Sequence, residues 1–158
     1  MKAPENVDVR QAHTYFAKEC FNLAWDLIEK KEREPEEMDL MIHLAHASLY
    51  HWTRRADCTD QNLSIGYWQL SRVYALAGLG DSALKAAETC LAYAQQHGVA
   101  RIFVGYAHEA LARAYAVVAM IEKQQIHLEQ AINIAQALPD DEKDQLLADL
   151  KDLSQENC

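Results

Sequence analysis

The sequence predicts an all-α fold, on three observations. The chain of 158 residues holds five Gly and three Pro, too few to turn the many short strands of a sandwich or barrel. Apolar residues recur at spacings of three and four, the period of a helix with one buried stripe. A pattern in the middle of the chain returns after 41 residues, the mark of stacked helical hairpins. With 50% apolar and 25% charged residues, the composition is that of one globular domain, which at this length buries about 68–70% of its unfolded surface.

The first helix is predicted to follow Asp8, to bury Ala12, Tyr15, Phe16, Cys20, Leu23, Leu27 and Ile28, and to end near Lys30-Lys31. The charged segment 32–37 contains Pro35, which fits the first turn of a helix, and carboxylates that suit the positive end of its dipole. A second helix over 36–54 carries Met41, Leu44, Ala45, Ser48, Leu49 and Trp52 on its buried side. Polar residues 55–60 break the pattern, and a third helix covers 61–77. In Gly78-Leu79-Gly80-Asp81, glycine can take the left-handed conformation that closes a helix, and Asp81 is expected to cap the next. That fourth helix reaches about residue 96 and stops at His97-Gly98; a fifth covers 100–118 and a sixth 123–137. Leu138-Pro139-Asp140-Asp141 stops and restarts the chain for a last amphipathic helix carrying Leu146, Leu147, Leu150 and Leu153. The expected domain is thus a first hairpin over 8–55, two similar hairpins over 62–97 and 100–137, and a capping helix over 139–154.

A net charge of −9 argues against sequence-independent nucleic-acid binding and against an anionic membrane surface as partner. Met1-Lys2-Ala3-Pro4-Glu5-Asn6 has no apolar run of a secretory signal, and no stretch of 18 apolar residues occurs, so a cytoplasmic location is expected. Cys20, Cys58, Cys90 and Cys158 form no C-x-x-C pair and are expected as free thiols, Cys20 and Cys90 in the core and Cys158 exposed.

The repeat aligns Tyr67, Leu70 and Tyr74 with His108, Leu111 and Tyr115, and Cys90-Leu91 with Ala131-Ile132, all 41 residues apart. Tyr67, Leu70, Ser71, Tyr74, Gly78, Ala83 and Cys90 resemble the tetratricopeptide repeat. The second copy, with His108, Leu111, Ala112, Tyr115, Ala119, Gln124 and Ala131, keeps the pattern of the first helix but lacks the glycine turn and the small residue that follows it. Long-helix repeats of this kind are also found in the sensor domains of bacterial peptide-binding regulators. The stretches His43 to Ser48 and Trp68 to Tyr74 look like a group of small uncharacterised bacterial proteins, which implies no particular function.

The tetratricopeptide resemblance implies a superhelix whose first helices line a groove. It carries the groove onto Ile65, Trp68, Arg72, Ala75 and Leu76, and onto Tyr106, Glu109, Arg113, Ala116 and Val117. Arginines one repeat apart could hold a carboxylate of a ligand by bidentate bonds. The alternative is that Arg113 pairs with Glu109 one helical turn away and Trp68 packs under the first hairpin. A second polar face gathers His43, His46, Tyr50 and Arg54 on the second helix, opposite its apolar stripe. The angular spread of His43, His46 and His51 prevents three ligands from converging, and no H-E-x-x-H is present. Neither a G-x-S-x-G nor a phosphate loop occurs, so no catalytic residue, metal or cofactor is expected. The expectation is a non-enzymatic scaffold for a protein or peptide. Small-molecule or metal binding on the histidine face and groove arginines is the alternative, and a homodimer through the first hairpin a further one.

Overall fold

The computed structural model describes residues 8–155. Among the described residues it contains seven α-helices and no strand: α1 (Val9–Ile28), α2 (Pro35–Thr53), α3 (Asp60–Leu76), α4 (Gly80–Ala94), α5 (Arg101–Val117), α6 (Ile121–Gln136) and α7 (Asp140–Gln155). The starts follow the local chemistry. Asp8 accepts from the backbone N–H groups of Arg10 and Gln11 at 3.0 and 3.1 Å, satisfying two otherwise unpaired donors. Pro35 opens α2 with Glu36 and Glu37 in its first turn, and Thr59 and Asn62 form a reciprocal capping box on α3. Asp81 does not cap α4, contrary to expectation. The N-cap is Leu79 and makes no side-chain bond, because the turn at Gly78 returns the chain to helix too early; Asp81 sits in the first turn and acts on the dipole instead.

Consecutive helices pair as hairpins, α1 with α2, α3 with α4 and α5 with α6. Neighbouring hairpins touch through α1 and α3, α3 and α5, and α5 and α7, so the odd-numbered helices form a row in chain order. The 41-residue offset is kept in three dimensions: both ends of α5 lie that far beyond those of α3. The closing turn is kept too. Gly78 has φ +71° and Leu79 N–H donates to Tyr74 O at 2.9 Å; Ala119 has φ +57° and Met120 N–H donates to Tyr115 O at 3.0 Å. The second turn survives loss of its glycine, at the cost of placing an L-residue in the left-handed region.

The core is built largely from small side chains. Ala83, Ala87, Ala107, Ala112, Ala131 and Ala135 are fully buried, which lets helix axes approach closely, and Met41, Val73, Leu146 and Leu153 fill the wider gaps. Buried hydroxyls join neighbouring helices: Ser48 donates to Ala17 O at 2.8 Å, Ser71 to Ala83 O at 2.9 Å and Ser64 to Cys90 O at 3.3 Å. Cys20 and Cys90 are buried and Cys58 half-buried, all three as free thiols; Cys158 lies outside the described residues.

The buried face of α1 differs from the expected stripe. Cys20 and Ile28 are buried, but Tyr15, Phe16 and Leu23 are 58%, 43% and 42% exposed, and Ala17 and Ala24 take the interior instead. α2 docks on the small residues, and α1 stands first in the row, so its large apolar residues meet no earlier helix among the described residues. At the other end Leu146, Leu150 and Leu153 of α7 pack against α5 and α6, while Asp141 and Asp144 are exposed. Among the described residues, no helix is long and apolar enough to cross a membrane.

Candidate functional site

The row of odd-numbered helices places Trp68 and Glu109 next to each other, because they occupy the same register one repeat apart. Trp68 Nε1–H donates to Glu109 Oε2 at 2.7 Å. Arg113 Nε and Nη2 both donate to Glu109 Oε1, at 3.0 and 2.6 Å, and Arg72 Nη1 lies 3.8 Å from the same oxygen. Glu109 is 1% exposed and Arg113 8%. A buried carboxylate shared by an indole and two guanidiniums is an internal strut, since its oxygens are already engaged and far from water. Arg113 therefore follows the intrahelical pairing given above as the alternative to ligand binding. Trp68 also packs on Trp25 of the first hairpin, with centroids 5.4 Å apart.

Beside this strut lies a pocket of about 250 Å³. Trp25 from α1, Ile65 and Trp68 from α3, and Phe103 and Tyr106 from α5 form its walls; buried Ser64 and Cys90 line it, and Gln145 and Asp149 of α7 complete it. Tyr106 meets Trp68 edge-on at 5.5 Å, and its hydroxyl donates to Asp149 Oδ2 at 2.7 Å. Burial, then the Asp149 carboxylate, hold the Tyr106 phenol well above the usual tyrosine range. Three of the expected groove residues, Ile65, Trp68 and Tyr106, thus share one pocket. The aspartate and glutamine of α7 were not expected there; only the docking of that helix beside α5 brings them in.

Five further expected groove positions, Ala75, Leu76, Arg113, Ala116 and Val117, line a separate cavity of about 280 Å³ with Gln124 and Leu153. Gln124 is 2% exposed, and its side-chain oxygen has no hydrogen-bond partner. It stands at the register position of fully buried Ala83, so the second repeat puts an amide where the first has a methyl group.

The second polar face is open to solvent: His43, His46, Tyr50 and Arg54 are all exposed. His46 Nε2 lies 2.7 Å from the Tyr74 hydroxyl of α3, and burial, then the nearby His43, lower its pKa. His51 turns away from this group to His13 of α1, with their Nδ1 atoms 2.8 Å apart. A second pair, His108 and His127, joins α5 to α6 with Nδ1 atoms 3.0 Å apart. Burial, then His127, push His108 down to about 4. Each pair offers two nitrogens, and no group of three or more metal-ligating side chains occurs among the described residues. Neither pair was foreseen, because partners on facing helices share no short sequence spacing. The Trp68 and Glu109 contact did carry a signal: both were expected groove residues, 41 positions apart.

No known protein family, curated protein or solved structure matches this chain.

Proposed function

We propose that the protein is a non-enzymatic cytoplasmic scaffold of tetratricopeptide-like design that binds a peptide or extended protein segment along the row of α1, α3, α5 and α7. The observation that carries the reading is the aromatic pocket. It draws walls from three successive odd-numbered helices and polar groups from the fourth, so an extended chain lying across the row would meet all four. The Glu109 strut supports the same reading, because it fixes Trp68 on one side of the pocket and limits what must be ordered on binding. The test is selection of a random heptapeptide display library on the full chain, with Phe103→Ala as the control surface once its thermal transition is shown to be intact. Peptides that bind the parent and lose affinity on the control are expected. A library that yields no such peptide would overturn the proposal.

A second reading, self-association, is favoured by one separate feature. Val9, Phe16 and Leu23 of α1, seven residues apart, are each more than 40% exposed on the end of the row opposite α7. Hairpin stacks require a polar cap at each end, and an antiparallel pairing centred on Phe16 would set Val9 of one copy against Leu23 of the other. Light scattering across a concentration series is expected to show a dimer that Phe16→Glu converts to monomer. A parent chain that stays monomeric at high concentration overturns this reading.

A further inference from the structure

We infer that the aromatic pocket is an arginine-binding site, filled by a guanidinium side chain of the bound peptide. This rests on the peptide-binding reading above and adds the chemistry of what is recognised. Trp25, Trp68, Phe103 and Tyr106 present aromatic rings, and the one ionisable carboxylate among the lining residues is Asp149, with no Lys or Arg among them. Aromatic rings attract cations through their negative faces, and guanidinium is the side-chain cation that both stacks on a ring and bonds a carboxylate in its own plane. Tyr106 anchors Asp149 through Oδ2, which fixes the carboxylate at the pocket edge and leaves Oδ1 to accept from an incoming N–H.

The molecule already contains this combination, made from its own residues. At the end of α2, the guanidinium carbon of Arg55 lies 4.1 Å from the centre of the Trp52 ring, and its Nε and Nη2 donate to Asp57 Oδ1 and Oδ2 at 2.9 and 2.6 Å. The pocket supplies the tryptophan and the aspartate of that triad and lacks its arginine. Arg72 lies 5.5 Å from the Trp25 ring and 3.8 Å from Glu109 Oε1 but is not among the residues that line the pocket. The net charge of −9 favours approach of a cationic segment.

The probes are acetyl-arginine amide and its neutral isostere acetyl-citrulline amide, followed through the indole N–H resonances of Trp25 and Trp68. Saturable shifts are expected with the arginine compound, at least about tenfold weaker with citrulline. Asp149 is exposed, so Asp149→Asn is expected to fold normally and to lose about tenfold in arginine affinity, while Asp144→Asn changes nothing. Equal binding of the two compounds, no shift with either, or indifference to Asp149→Asn overturns the inference. The same exchange in library peptides separates the two proposals. Peptides that bind but tolerate arginine-to-citrulline replacement leave the scaffold reading standing and remove this one. Asp149-dependent binding of acetyl-arginine amide with no peptide binding removes the scaffold reading and leaves the pocket as a site for a guanidinium that no peptide supplies.

Discussion

The hairpins α3–α4 and α5–α6 share one backbone plan and hold it by different means. Gly78 in the first is Ala119 in the second, Ala83 is Gln124, Tyr67 is His108, and Trp68 is Glu109. The first copy relies on glycine, methyl groups and a stacked Tyr67–Tyr93 pair with centroids 5.7 Å apart. The second holds a buried carboxylate, a histidine pair and an alanine in a left-handed turn. The difference shows that the repeat geometry is set by helix length, turn register and neighbours on both sides, since it tolerates polar and strained substitutes at positions where the first copy is apolar and relaxed.

The largest test of this contrast is at the strut. Removing the carboxylate by Glu109→Ala strands the Arg113 guanidinium in the interior and is expected to cost about 3–5 kcal/mol. Trp68→Phe, at the same register in the first copy, removes one donor from the same carboxylate and is expected to cost about 1–3 kcal/mol. Urea unfolding of both variants measures the gap, and equal losses would erase the asymmetry.

Next in size is the response to acid. His108 is held neutral in the folded state by burial and by His127, with a folded pKa of about 4 against an ordinary 6.5. Because the folded pKa is lowered, the unfolded chain takes up the proton first. The contribution is therefore complete above about pH 6.5 and is lost as pH falls towards about 4. After allowance for partial solvent access, the loss is expected to be about 1–2 kcal/mol. His108→Tyr, which imports the residue of the first copy, should flatten the slope in thermal melts between those pH values; an unchanged slope would place the titration elsewhere.

The smallest effect is at the turns, and its sign should reverse between copies. Gly78 has open space around a would-be Cβ, so Gly78→Ala costs only backbone strain, about 1 kcal/mol, whereas Ala119→Gly should gain about 0.5 kcal/mol because relief of strain outweighs the entropy of glycine. Paired denaturation curves check both, and a destabilising Ala119→Gly would show that the second turn is not strained.

Most of the fold was legible because punctuation and period agree: Pro35, Gly78 and Pro139 mark boundaries close to the observed ones, and the 41-residue offset identified the row. The interior of α1 was not legible. Large apolar side chains drew the expected stripe, while close helix packing selected Ala17 and Ala24, and the sequence does not say on which side a neighbouring helix stands. Three of the nine residues lining the pocket, Ile65, Trp68 and Tyr106, were among the expected groove positions. Asp149 and Gln145 arrive by the docking of α7, and Trp25 by the docking of the first hairpin; contacts of that kind have no period to betray them.

Cys90 gives the stack a use as its own timer. Its side chain is fully buried against Ser64, and burial pushes the thiol up to about 12, so an alkylating reagent at neutral pH meets neither access nor thiolate while the α3–α4 hairpin is closed. Half-buried Cys58 is far closer to solvent and marks the reagent's arrival. The lag between the two labels then counts openings of the middle of the molecule, at the position where one repeat hands its packing to the next.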